Sequence, residues 1–264
     1  LRIALGLEYD GAAFHGWQSQ PDDNTVQDAL EHALSAIAGE ATRVTCAGRT
    51  DASVHALSQV VHFDTSAGRQ SSAWVRGTNS HLPESIAVRW AQPVSDEFHA
   101  RFSARSRSYR YLLYNHPVRP AFNHGRVGWF HHPLDVGAMR EATRYFLGEH
   151  DFSAFRCAEC QAKSPVKTMY QADIARHGDL IVFDFRASAF LHHMVRNLVG
   201  ALVFVGKHKH APEWLAELIA GRDRTVAAPT FSPAGLYFCG VEYDPRWQLP
   251  NEGRIIAPLP VFLG

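Results

Sequence analysis

In the opening segment RIALGLEY, apolar and polar positions alternate, with Ile3, Leu5 and Leu7 on one face, which predicts a β-strand. The period then lengthens. In NTVQDALEHALSAIAG, residues Val26, Ala29, Leu30, Ala33, Leu34 and Ile37 recur at helical spacing; Asn24 fits the N-cap, Gln27 stands three residues on, and Gly39 fits the C′ position. ATRVTCA and LSQVVHFDT return to strand patterning. SSAWVRGTNSHL predicts a short helix that stops before Pro83, and SIAVRWAQ a further strand. Strand, helix, strand, strand, helix, strand is the ferredoxin-like order.

The second part repeats that order with longer connections. SYRYLLYN is a strand, a Pro- and His-rich connection runs from His116 to Pro133, and DVGAMREATRYFLG is a helix. TMYQADIARHGDLIVFDFRA predicts a hairpin about His177 and Gly178. FLHHMVRNLVGALVFVG is a long helix, PEWLAELIAG a shorter one opened by proline, and GLYFCGVEY a last strand. The expected fold class is therefore α+β, with two ferredoxin-like (βαββαβ) halves and mainly antiparallel sheets. The expected division is residues 1–102, residues 103–249 and a proline-rich tail, 250–264.

Composition narrows the class. The chain has 264 residues, 46% hydrophobic and 20% charged, and 26 Lys plus Arg balance 26 Asp plus Glu. A polyanionic partner would have to be met by a local patch, not by net charge. Four cysteines are too few and too scattered for a disulfide framework. The first residues lack the charge-free apolar run of a signal peptide, and FLHHMVRNLVGALVFVG is too interrupted by polar residues to span a bilayer. The expected location is the cytoplasm, with no membrane partner.

One tract is a candidate for such a patch, although its arginines could also simply solvate a face. Between Glu97 and Asp135 there is no acidic residue, while Arg101, Arg105, Arg107, Arg110, Arg119 and Arg126 alternate with Phe98, Phe102, Tyr109, Tyr111, Tyr114 and Phe122. Arginines contact phosphates and aromatic rings stack on unpaired bases, so the tract suits a folded RNA with a displaced nucleotide. Upstream, the loop CAGRTDASVHA sets Asp51 two residues after Arg49 and four before His55. A carboxylate on a loop between strands can act as nucleophile or base, and it can equally cap its own turn. Arg196, in an apolar helix, must reach water, a carboxylate or a ligand. The adjacent His192 and His193 read as structural histidines facing different ways.

Metal and nucleotide signals are weak. Cys157 and Cys160 have the spacing of half a zinc site, but no second pair follows, and no H-x-E element precedes them as in a zinc deaminase. There is no phosphate-binding glycine loop. The expectation is chemistry without metal, nucleotide or other cofactor.

GRTDASVHA resembles the aspartate motif of the TruA-type tRNA pseudouridine synthases, G-R-T-D-x-G-V-H. EYDGAAFHGWQSQ, FHARFSARSRSYRY, AFLHHMVRN and GLYFCGVEY resemble that family's other segments in the same order. The resemblance implies two ferredoxin-like halves flanking a central basic cleft. It also implies a cofactor-free isomerase acting on uridines 38, 39 or 40 of the tRNA anticodon stem-loop, working as a homodimer. It makes Asp51 the essential carboxylate, Tyr109 the ring that stacks on the base, and Arg196 the basic partner of the aspartate. Arg49 would hold the RNA backbone and fill the space of the flipped nucleotide. His55, Phe98, Arg101, Arg107 and Arg110 are the remaining expected substrate contacts. One position departs from the motif: Ser53 stands where glycine is usual, which puts the loop's backbone in question. A non-catalytic RNA-binding module would explain the tract equally well, but has no use for Asp51.

Overall fold

The computed structural model describes residues 1–250. The expected tail beyond residue 250 lies outside the described residues. Proximity divides the described residues into two compact units, one containing residues 1–105 and 237–250, the other Ser106–Leu236. Both mix helices with sheet in which most neighbouring strands run antiparallel.

The first unit is built from β1 (Arg2–Tyr9), α1 (Val26–Ala38), β2 (Thr45–Cys46), β3 (His55–Asp64), α2 (Ser71–His81) and β4 (Ile86–Val94). Its strand order is β4-β1-β3, with the short β2 antiparallel on the outer side of β3. Ile3, Leu5 and Leu7 are buried as their alternation requires. Gly6 on the same strand lies so close to the Trp90 ring that a Cβ would come within 2.0 Å of the indole nitrogen. Helix α1 buries Val26, Leu30, Ala33 and Leu34, and α2 packs Trp74 edge-on to Phe63 at 5.1 Å. Burial of these side chains contributes roughly 1.5–3 kcal/mol each.

Two local expectations shift. Helix α1 is capped by Thr25, not Asn24: the Thr25 hydroxyl accepts from the Asp28 amide at 3.2 Å and itself bonds the Asp28 carboxylate. Gly39 does close the helix, at φ 75°. The strand expected over ATRVTCA shrinks to two residues because side chains of α1 satisfy its backbone. Ser35 accepts from the Thr42 amide at 3.0 Å and the buried Glu31 carboxylate accepts from the Val44 amide at 3.0 Å.

The second unit contains β5 (Ala104–Asn115), whose first two residues group with the first unit, then β6 (Gly128–Phe130) and α3 (Val136–Thr143). There follow β7 (Gly148–Asp151), β8 (Val166–His177), β9 (Leu180–Ala187), α4 (Met194–Gly206) and α5 (Trp214–Gly221). Its order is β5-β9-β8-β7, with β6 pairing in parallel with the end of β5 at Leu113–Asn115. The β8–β9 hairpin turns at Gly178–Asp179, one residue beyond the expected centre, with His177 pairing Leu180. The last strand, β10 (Leu236–Tyr243), was counted with the second half on sequence order; from Tyr237 on it groups with the first unit, where it pairs in parallel with β3 at His55 and Ala56.

Helix α4 is buried along almost its whole length and starts at Met194, four residues later than the apolar run suggests. Its buried Asn197 donates to the Phe155 carbonyl at 2.8 Å and accepts from Thr230 at 2.7 Å and Arg224 at 3.1 Å. That network ties the helix to two loops that the hydrophobic pattern leaves unassigned.

Candidate active site

Asp51 stands on the eight-residue connection between β2 and β3, and its conformation is imposed from several sides. At the start, the buried Gln59 side chain donates to the Gly48 carbonyl at 2.6 Å. Thr50, buried, receives the Trp17 amide on its carbonyl at 2.9 Å and meets the Tyr9 hydroxyl through its own at 2.8 Å. Past the aspartate, the Ser53 amide reaches the Phe14 carbonyl at 3.3 Å, and the Val54 amide closes a tight turn onto the Asp51 carbonyl at 3.1 Å. A second loop, residues 10–17, thus lies along the aspartate loop.

Glycines allow that approach. Gly16 has φ 93°, and a Cβ there would fall 2.8–3.0 Å from backbone atoms of Thr50, Asp51 and Ala52. Ser53 adopts φ 64°, the left-handed conformation that a glycine would take without strain. Serine therefore stands here in a backbone conformation that favours glycine. Asp51 itself is half-exposed and Arg49 exposed.

His55, Phe98 and Arg110, expected as substrate contacts, are all buried. His55 is 2% exposed; its ring stacks on Tyr237 at 4.7 Å, and its Nδ1 lies 3.1 Å from the Gly11 amide and 3.0 Å from the Asp10 carboxylate. It anchors the second loop. Phe98 is fully buried against Tyr243, Trp247 and His62. Arg110 is 6% exposed and makes a two-pronged ion pair, 2.7 and 2.9 Å, with Asp184 opposite it on β9.

Exposed cations do remain in the first unit. Arg101 is exposed, with its guanidinium 5.7 Å from the centre of the Phe102 ring, which is 76% exposed. Burial pushes the Cys46 thiol up to about 12 against the opposing charges of Arg49 and Arg101, so both cations act on the end of β2. The turn carrying Arg101 is fixed by His62, whose Nδ1 accepts from the Ala100 amide at 3.1 Å, and by His99, whose Nδ1 takes the amides of Arg101 and Phe102.

In the second unit, Tyr109 is half-buried on β5 with its ring edge-on to Phe190 at 5.0 Å. Arg107, two residues before it, donates to the Ser188 carbonyl at 3.1 Å. Arg196 lies in the first turn of α4, half-buried, and donates from Nε to the Phe231 carbonyl at 2.8 Å. His192 and His193 do not point apart as expected: their rings are 4.1 Å between centres, and with Cys157 they bring three metal-binding atoms within 4.8 Å of one another.

Sequence reasoning found Asp51 and missed what holds it. Gly16, Trp17, Tyr9 and Gln59 carry no chemistry of their own, and their role is visible only once residues 9–17 and 48–55 are side by side. The G-W pair within EYDGAAFHGWQSQ was the available signal.

The family model described as tRNA pseudouridine synthase matches residues 7–103 and 142–244, which include Asp51 and Arg196 and leave Tyr109 between the matched segments. The protein named tRNA pseudouridine synthase A from Dechloromonas aromatica is 63% identical over 251 residues, covering 95% of this chain and 96% of its own. Its namesake from Aromatoleum aromaticum is 63% identical over 257 residues, 97% of each chain. That from Methylobacillus flagellatus is 61% identical over 254 residues, 96% and 97%.

Proposed function

The chain belongs to the tRNA pseudouridine synthase family and is an isomerase, and from that premise we propose that it converts uridine to pseudouridine at positions 38, 39 or 40 of the tRNA anticodon stem-loop, with Asp51 as the essential carboxylate. The N1–C1′ bond of the nucleotide breaks and C5 bonds to C1′; the C5 proton leaves to water and N1 takes up a proton, so the product is an isomer of the starting nucleotide. Nothing is oxidised or reduced, so the reaction consumes no cofactor. The target base leaves its stack first, at a cost of a few kcal/mol. In this reading Arg49 and Arg101 hold the RNA backbone, Tyr109 stacks on the displaced base, and Arg196 favours the ionised carboxylate.

The observation that carries the proposal is the loop of Asp51. A half-exposed carboxylate sits in a turn whose backbone is fixed on both flanks, by Gln59 and Trp17 before it and by Phe14 after it. That is the preorganisation a positioned nucleophile or base requires. The proposal extends to a homodimer in the cytoplasm and to two ferredoxin-like halves flanking a basic cleft; the β4-β1-β3-β2 order of the first unit supports a ferredoxin-like first half.

The test uses a tRNA transcript tritiated at uridine C5, with no added metal or nucleotide. Stoichiometric release of label by the native protein is expected, with none from Asp51→Asn despite retained tRNA binding. Tight binding without release across a panel of tRNAs would leave an RNA-binding protein and no catalyst.

A further inference from the structure

The cluster of Cys157, His192 and His193 is not used by the proposed isomerisation, yet it is assembled with care. Cys157 follows a single turn of 3-10 helix, Ser153–Phe155, and its Sγ lies 3.0 Å from the His192 Nδ1. The backbones are locked as well: the Cys157 amide donates to the His192 carbonyl at 3.2 Å, and the His192 amide donates to the Cys160 Sγ at 3.4 Å. The Cys160 amide closes the turn onto the Cys157 carbonyl at 3.2 Å.

His193 completes the cluster through an unusual backbone. At φ 62° it is left-handed, so two consecutive imidazoles share one side where an extended chain would send them to opposite sides. All three donor atoms lie within 4.8 Å of one another. Around a tetrahedral zinc ion, with Zn–S about 2.3 Å and Zn–N about 2.0 Å, donor atoms stand roughly 3.3–3.6 Å apart. The observed spacings bracket that range, so small side-chain rotations suffice.

We propose that Cys157, His192 and His193 bind one zinc-class divalent ion per chain, pinning the 157–160 turn to the start of the helix that carries Arg196. One thiolate and two imidazoles select zinc-class metals over magnesium or calcium, which require oxygen ligands. His192 is exposed and Cys157 half-exposed, which gives the ion a path in and leaves a fourth position for water. Cys46 and Cys239, both buried, lie outside the group.

Cobalt(II) is the probe. Titrated into the full chain under reducing conditions, it should produce a thiolate-to-cobalt charge-transfer band that saturates at one ion per chain and is displaced by zinc. Cys157→Ser should abolish the band, and His192→Ala should weaken cobalt binding by roughly 100-fold, with circular dichroism confirming that each variant folds. Cys160→Ser should keep the band. A native chain without the band overturns the proposal, as does a band that survives in Cys157→Ser.

Discussion

Each unit places one non-glycine residue in the left-handed region beside a side chain of the proposed chemistry: Ser53, φ 64°, two residues after Asp51, and His193, φ 62°, three before Arg196. The cost is similar, about 1–2 kcal/mol for an L-residue there, but the return differs. At Ser53 only the backbone shape matters, because the turn serves to aim Asp51 and the loop around it is held by Gln59, Trp17 and Phe14. At His193 the side chain matters, because the twist brings its ring beside His192 and Cys157. Similar angles therefore identify a shape in one unit and a ligand set in the other.

The comparison breaks most severely at Gly16. Gly16→Ala puts a Cβ within 3.0 Å of the backbone at Thr50, Asp51 and Ala52. We expect a stability loss of about 3–4 kcal/mol by urea unfolding and roughly 100-fold lower tritium release, since a displacement of about 1 Å at a reacting group has that effect. In the second unit the corresponding support is Asn197. Asn197→Ala takes a donor from the Phe155 carbonyl and an acceptor from Thr230 and Arg224, and should lower stability by about 2–3 kcal/mol.

Substituting glycine at both left-handed positions sharpens the contrast. Ser53→Gly should raise stability by about 1 kcal/mol with turnover unchanged. His193→Gly should relieve the same strain yet weaken cobalt binding. Equal behaviour of the two variants in the metal titration would remove the distinction.

The smallest effect is a pH slope. Burial, with the nearby His99 and Arg2 charges, holds His62 down to about 4 in the folded state, against roughly 6.5 when unfolded. Above pH 6.5 both states leave it neutral and it contributes no slope. Between about 6.5 and 4 the unfolded chain takes up a proton that the folded chain refuses, so stability falls as pH falls. Melting temperature should drop more between pH 7 and pH 5 in the native protein than in His62→Gln, whose amide oxygen can still accept from Ala100.

Hydrophobic period sufficed for β1, α1, the β8–β9 hairpin and β10, because long elements average over local exceptions. It failed where a few long-range bonds decide. Strand β2 is cut short by Glu31 and Ser35, residues of α1 that satisfy amides a ladder would otherwise use. Strand β6 is three residues long and rests Gly128 on the Tyr111 ring, where a Cβ would come within 2.1 Å of the hydroxyl. The start of α4 moved because an apolar run cannot announce the twist at His193. Residue type picked out Asp51, Arg49 and Arg101, which the fold leaves half-exposed or exposed. It could not separate Arg101 from Arg110, since only the fold puts Asp184 opposite the latter.

The bonds between residues 9–17 and 48–55 also bear on how this protein could be recombined. Trp17 to Thr50, Ser53 to Phe14 and Gly11 to His55 join two stretches more than thirty residues apart in the chain. A chimera that imports the aspartate loop from a distant homologue without its matching first loop would receive the reactive group and lose its template. Crossovers between residues 17 and 48 separate the pair, so viable hybrids should be scarce there and common beyond β3.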